Sequence, residues 1–76
     1  MKLDDLLKKG ISRHKAGKYI EARNYYLKIL KKQKDHLDAL YLLGTLYGEH
    51  QKTAEATRCL EKASQLKPDS PMILNN

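Results

Sequence analysis

Ala22, Tyr26, Ile29 and Leu30 recur at spacings of four, three and one, an apolar stripe on one side of a helix. The stripe predicts a helix over Tyr19–Lys32 whose inner face meets the preceding helix and a neighbouring unit. That preceding helix is expected over Leu3–Lys15, with Ala16, Gly17 and Lys18 as the turn. Gly17 is the stop signal, because glycine takes the positive φ that commonly ends a helix. Gly10 and Ala22 are small enough to let the two backbones come close. A polar link, Gln33 to His36, leads to a third helix over about Asp38 to His50, with Asp35 or Asp38 as its cap. Leu37, Ala39, Leu40, Tyr41, Leu42, Leu43, Leu46 and Tyr47 make it apolar nearly all round, the mark of a sandwiched helix. A fourth helix is expected over about Thr53 to Leu66. Thr53 is its cap candidate, Ala56, Leu60 and Ala63 form its inner stripe, and Pro68 ends it.

Shifting the chain by 34 residues pairs Leu3 with Leu37, Asp4 with Asp38, Leu6 with Leu40, Gly10 with Gly44 and Lys18 with Lys52. The same shift pairs Glu21 with Glu55, Ala22 with Ala56, Lys28 with Lys62 and Asp35 with Asp69. Identities at one offset over this length indicate an internal repeat. The stretch Asp38 to Pro68 carries Leu40, Leu43, Gly44, Tyr47, Ala56, Leu60, Ala63 and Pro68 at the spacing of the tetratricopeptide signature, with Leu40 where that signature has Trp. The chain thus resembles the tetratricopeptide repeat family. The resemblance implies an all-α fold of tandem antiparallel helix pairs winding into a solenoid. A single domain over residues 1–76 is expected, with one repeat over 3–36, a second over 37–70 and the first turn of a third over 71–76. Pro71 suits a first helical turn, and Leu74 falls at the repeat position of Leu6 and Leu40. Repeat units do not bury their faces alone. The chain is therefore expected to be a piece of a longer repeat protein, or to cover its open end by self-association into a homo-oligomer.

Charge changes the picture of the first half only. The net charge is +6, yet residues 3–36 hold ten Lys or Arg against four Asp or Glu, while residues 37–70 hold four against five. This asymmetry points to an acidic partner, or to a basic helical module that contacts nucleic acid as the alternative function. Lys8, Lys9, Arg13, Lys15 and Lys18 form one basic cluster; Lys28, Lys31, Lys32 and Lys34 form another. The tyrosines sit mainly at packing positions, which argues against a base-stacking platform. A third reading is a non-catalytic repeat fragment of a larger enzyme such as a glycosyltransferase. Seventy-six residues bury only about 60% of the unfolded chain's surface, leaving little core for a buried active site.

The candidate chemistry is sparse. Cys59 is the lone cysteine, so neither an internal disulfide nor a thiolate cage is available, in keeping with a reducing, cytoplasmic setting. His14, His36 and His50 lack metal-ligand spacing, the serines lack a nucleophile elbow, and the glycines form no phosphate loop. No segment approaches the roughly 20 apolar residues of a membrane span, and the N-terminal stretch, with Asp4 and Asp5 among its first five residues and no long apolar run, is not a signal peptide. The expectation is a protein without catalysis, metal or cofactor.

What the resemblance implies about function is a protein-interaction scaffold, since in that family the first helix of each unit lines a concave groove for a partner's peptide or helix. By repeat position the groove would draw Leu7, Lys8, Ile11, His14 and Lys15, with Asp4, from the first unit. Tyr41, Leu42, Thr45 and Glu49, with Asp38, would come from the second, and Met72 and Asn76 would stand at its far end. The Lys and Asn residues of the family's carboxylate clamp are replaced here by Leu7, Ile11 and Leu42, so the resemblance does not extend to that clamp. An apolar patch bordered by Lys8, His14 and Lys15 suits an amphipathic protein segment with acidic flanks.

Overall fold

A computed structural model of the protein describes residues 2–66. Pro68 and the expected start of a third repeat over 71–76, including Met72 and Asn76, lie outside the described residues. Four helices follow one another: α1 (Leu3–Lys15), α2 (Tyr19–Lys32), α3 (Leu37–Glu49) and α4 (Thr53–Leu66). Helix α1 packs on α2, α3 on α4, and α3 also packs against α2 and α1, so two antiparallel pairs stack side by side.

The turns inside the two pairs are copies of each other. Gly17 ends α1 at φ 76°, and the Lys18 N–H donates to the Arg13 carbonyl at 2.9 Å. In the second pair Gln51 takes the same place at φ 61°, and the Lys52 N–H donates to the Tyr47 carbonyl at 2.8 Å. A bond of this six-residue span around a left-handed residue satisfies the last helical carbonyls. A glutamine performs it in the second pair at a steric cost that glycine escapes.

Two expected caps are different residues. His36, not Asp35 or Asp38, caps α3: its Nδ1 accepts the Ala39 N–H at 3.1 Å, which starts the helix at Leu37. Asp38 lies in the first turn, where its charge still favours the helix dipole. Thr53 is the first residue inside α4 rather than its cap, and the Lys52 carbonyl accepts the Ala56 N–H at 2.9 Å.

The core sits between the pairs. Ala22 and Tyr26 of α2 meet Leu43 and Leu46 of α3 in one cluster, and Leu6, Ile29 and Ala39 form a second. Tyr26, Ile29 and Leu46 are the largest fully buried side chains. Burying a side chain of Leu46's kind contributes about 1.5–3 kcal/mol. The sandwiching expected for α3 holds for Ala39, Leu43 and Leu46, whereas Tyr41 is 58% exposed. On α1 the corresponding positions are Asp5, Lys9 and Ser12, all exposed, so water covers on the first pair what the first pair covers on the second.

Gly10 and Gly44 mark the close approaches. A Cβ on Gly10 would lie 2.6 Å from Tyr26 Cε1, and one on Gly44 would lie 3.0 Å from Leu60 Cγ. The α4 stripe needs one correction. Ala56 and Ala63 are buried, but Leu60 is 40% exposed: it lies against Gly44 on one side and faces outward on the other.

Candidate functional site

Helix α1 presents Lys8 and Lys15 to solvent beside the half-buried Leu7 and Ile11. Leu7, Ile11 and Lys15 follow one another at spacings of four with Lys8 beside Leu7, because one side of α1 must pack while the adjoining side stays wet. On α3 the exposed Tyr41 and Thr45 stand beside the half-buried Leu42. The Thr45 hydroxyl is already spent on the helix, donating to the Tyr41 carbonyl at 2.9 Å. Leu7, Ile11 and Leu42 also pack on the cluster around Tyr26, so their apolar surface is shared between the core and the open side.

His14 and Glu49 are brought together, and they bind each other. His14 Nε2 lies 2.6 Å from Glu49 Oε1, joining α1 to α3. On its other side His14 Nδ1 lies 3.0 Å from the Tyr26 hydroxyl, joining α1 to α2. A carboxylate only accepts, so Nε2 donates to Glu49, and in the neutral ring Nδ1 accepts from the phenol. Burial, with the charge of Glu49 behind it, pushes the Tyr26 phenol up to about 12, which keeps its proton in place for that bond. The relay gives a fully buried tyrosine its hydrogen-bond partner and fastens α1, α2 and α3 together. Both His14 and Glu49 are therefore committed internally before any partner arrives.

Around the α2 start, Tyr19 packs its ring against His50 at 4.2 Å between centroids, and the Arg23 guanidinium lies 5.9 Å from the Tyr19 ring. Arg13 Nε and Glu21 Oε1 pair at 2.9 Å across the α1–α2 turn. An exposed ion pair of this kind contributes little to stability. Sequence reasoning missed all of these cross-helix contacts. One signal was present: Glu49 is the repeat counterpart of Lys15, so His14 and Glu49 occupy adjoining positions in consecutive units.

Burial raises the Cys59 thiol above its usual range, opposed by the nearby positive charge of Arg58. A thiol so placed is a poor nucleophile, as expected of a structural cysteine. Among the described residues no group of three His, Cys, Asp or Glu is arranged to hold a metal ion. No helix among them is long and apolar enough to cross a membrane.

No curated protein matches the chain. A family model described as tetratricopeptide repeat matches residues 13–75, from the last turn of α1 onward. Such repeats are generally non-catalytic scaffold modules that bind proteins or peptides. With two stacked antiparallel helix pairs on a 34-residue period and a family match across most of its length, the chain belongs to the tetratricopeptide repeat family.

Proposed function

We propose that the open side of α1 and α3 is a docking groove for an amphipathic protein segment with acidic flanks, in repeat units that divide at residues 3–36 and 37–70. The observation that carries this reading is the pairing of Lys8 and Lys15 on α1 with exposed Tyr41 and half-buried Leu42 on α3. An apolar centre with a charged rim is the usual anatomy of an interaction patch, and a large exposed aromatic is its usual anchor. His14 and Glu49 take the role of a fixed wall, since each already holds the other.

A weak second association, between copies of the chain, rests on Tyr41 and Leu60, both exposed on the second pair. The other α4 residues on that side, Thr53, Thr57 and Ser64, are small and polar. The association is therefore expected only at high concentration. The proposed setting is the cytoplasm, where the single thiol of Cys59 stays reduced. Tyr41 is the one exposed tyrosine among the described residues; Tyr26 is buried and Tyr19, Tyr25 and Tyr47 are half-buried, which leaves no row of rings for stacked bases and favours a protein partner.

The test is anisotropy of labelled amphipathic peptides with acidic flanks, titrated with the full chain and with a Tyr41→Ser, Leu42→Ser variant whose helicity is checked by circular dichroism. At least a tenfold loss of affinity is expected in the variant, with modest salt dependence in the parent. Equal affinity in both proteins overturns the groove. Affinity that collapses with salt for the peptide and is matched by an RNA of equal charge overturns it in favour of polyanion binding.

A further inference from the structure

The outward face of α2 carries two aliphatic side chains that the fold does not require. Ile20 is 54% exposed and Leu27 is 42% exposed. With Asn24 and Lys31, also exposed, they follow one another at spacings of four, three and four, one continuous strip along the helix. The strip turns away from Ala22, Tyr26 and Ile29, the residues α2 gives to the core.

The second helix pair serves as an internal control for what this face needs. On the 34-residue period, Ile20 corresponds to Ala54 and Leu27 to Glu61 on α4, which forms the same kind of helix in the same kind of pair. An alanine and a glutamate therefore suffice at these positions for folding. Two shallow depressions adjoin the strip and share Glu21: one, at the helix start, is also lined by Lys18, Tyr19 and Ile20, the other by Asn24, Tyr25 and Lys28. Along the strip the charge is uneven. Near its start Glu21 is paired with Arg13 and Lys18, so the charges there offset one another, while Lys28, Lys31 and Lys32 crowd its end.

We infer that α2 carries a second docking surface, separate from the groove, for an amphipathic helix of a partner protein. That helix lays two apolar residues, about 10 Å apart, onto Ile20 and Leu27. Its acidic residues gather at the end that lies over Lys28 and Lys31, which fixes its direction as well as its place. The two depressions receive the bulk of its side chains beside the aliphatic strip. A partner gripping this face and another in the groove would leave each other's contacts free, so the module would join two proteins.

The experiment records backbone amide shifts of the labelled full chain while a synthetic helical peptide is added, bearing leucines at i, i+3 and i+7 and glutamates at one end only. Saturable shifts centred on Ile20, Asn24, Leu27 and Lys31 are expected. An Ile20→Ala, Leu27→Glu variant, which copies the residues of the second pair, should bind at least tenfold more weakly. Lys28→Glu with Lys31→Glu, leaving the aliphatic pair intact, should also weaken binding, and a peptide with lysines in place of glutamates should bind the parent worst. Shifts confined to Tyr41, Thr45 and their neighbours would overturn the second surface while leaving the groove standing. Absence of saturable shifts, or equal binding by the Ile20→Ala, Leu27→Glu variant, would overturn it outright.

Discussion

Tyr26 and Leu60 stand at the same place in their helix pairs, 34 residues apart, yet Tyr26 is fully buried and Leu60 is 40% exposed. Helix α3 closes over Tyr26, bringing Leu43 and Leu46 against it. The residues around Leu60 at the matching places are Thr53, Thr57 and Ser64, where α2 has Tyr19, Arg23 and Leu30. One backbone plan thus yields a closed pair and an open one, and the difference lies in the helix that covers Tyr26 and in the smaller residues around Leu60 rather than in the turn. The same substitution should act differently in the two pairs.

The largest contrast is expected from truncation. Tyr26→Ala empties a fully buried site and strips His14 of its phenol, costing about 3–5 kcal/mol. For a domain of this size that approaches the whole stability, about 4–11 kcal/mol. Leu60→Ala should cost only about 1 kcal/mol, because much of that side chain is already in water. Urea melts of the two variants, read as midpoints at a common slope, measure the gap; similar losses would dissolve the distinction between the pairs.

Alkaline titration sharpens it further. The Tyr26 phenol is held at about 12 against an ordinary 10, so the folded state binds this proton more tightly than the unfolded state does. Its contribution is complete below pH 10 and is lost as pH rises towards 12. The loss is about 2 kcal/mol across that window. Tyr26→Phe should remove this step from the stability profile, and a profile of unchanged shape would show that the phenol is not protected by the closed pair.

A smaller effect is expected at the turns. Gly17 and Gln51 adopt the same left-handed backbone, but only glutamine has a Cβ to crowd there. Gln51→Gly should stabilise by about 0.5–1 kcal/mol, the steric relief less glycine's greater chain entropy. Gly17→Gln should destabilise by a similar amount. Thermal melts of both would expose any asymmetry between the turns.

Much of this architecture could be read from the residues. The helix limits follow from apolar spacing and from Gly17, since a period of 3.6 and a left-handed stop are local properties of the chain. The 34-residue identities expose the pairing of helices for the same reason. Periodicity did not reveal that Leu60 faces partly outward, because a stripe records which residues are apolar and not whether a neighbour covers them. The cap of α3 fell to His36 because an imidazole nitrogen accepts a backbone N–H as an aspartate does. Of the residues that the resemblance assigns to a groove, Lys8, Lys15, Tyr41 and Thr45 are exposed, while Leu7, Ile11 and Leu42 are half-buried. The pairing of His14 with Glu49 depends on side-chain reach across 35 residues, and only the repeat frame brings those positions into view.

The most direct test compares the two glycines that let the helices approach, Gly10 and Gly44, by equilibrium unfolding of Gly10→Ala and Gly44→Ala. In the closed pair the new methyl would meet the Tyr26 ring at 2.6 Å, and that ring is walled in on every side. A net loss of about 1–2 kcal/mol is expected after the gain in helix propensity. In the open pair it would meet the partly exposed Leu60 at 3.0 Å, which can turn aside, and Cys59 Cβ at 3.2 Å, which can yield only slightly, so Gly44→Ala should cost at least about 1 kcal/mol less than Gly10→Ala. A clearly smaller loss at Gly44 than at Gly10 supports a closed first pair beside an open second one. Equal losses at both glycines would contradict it.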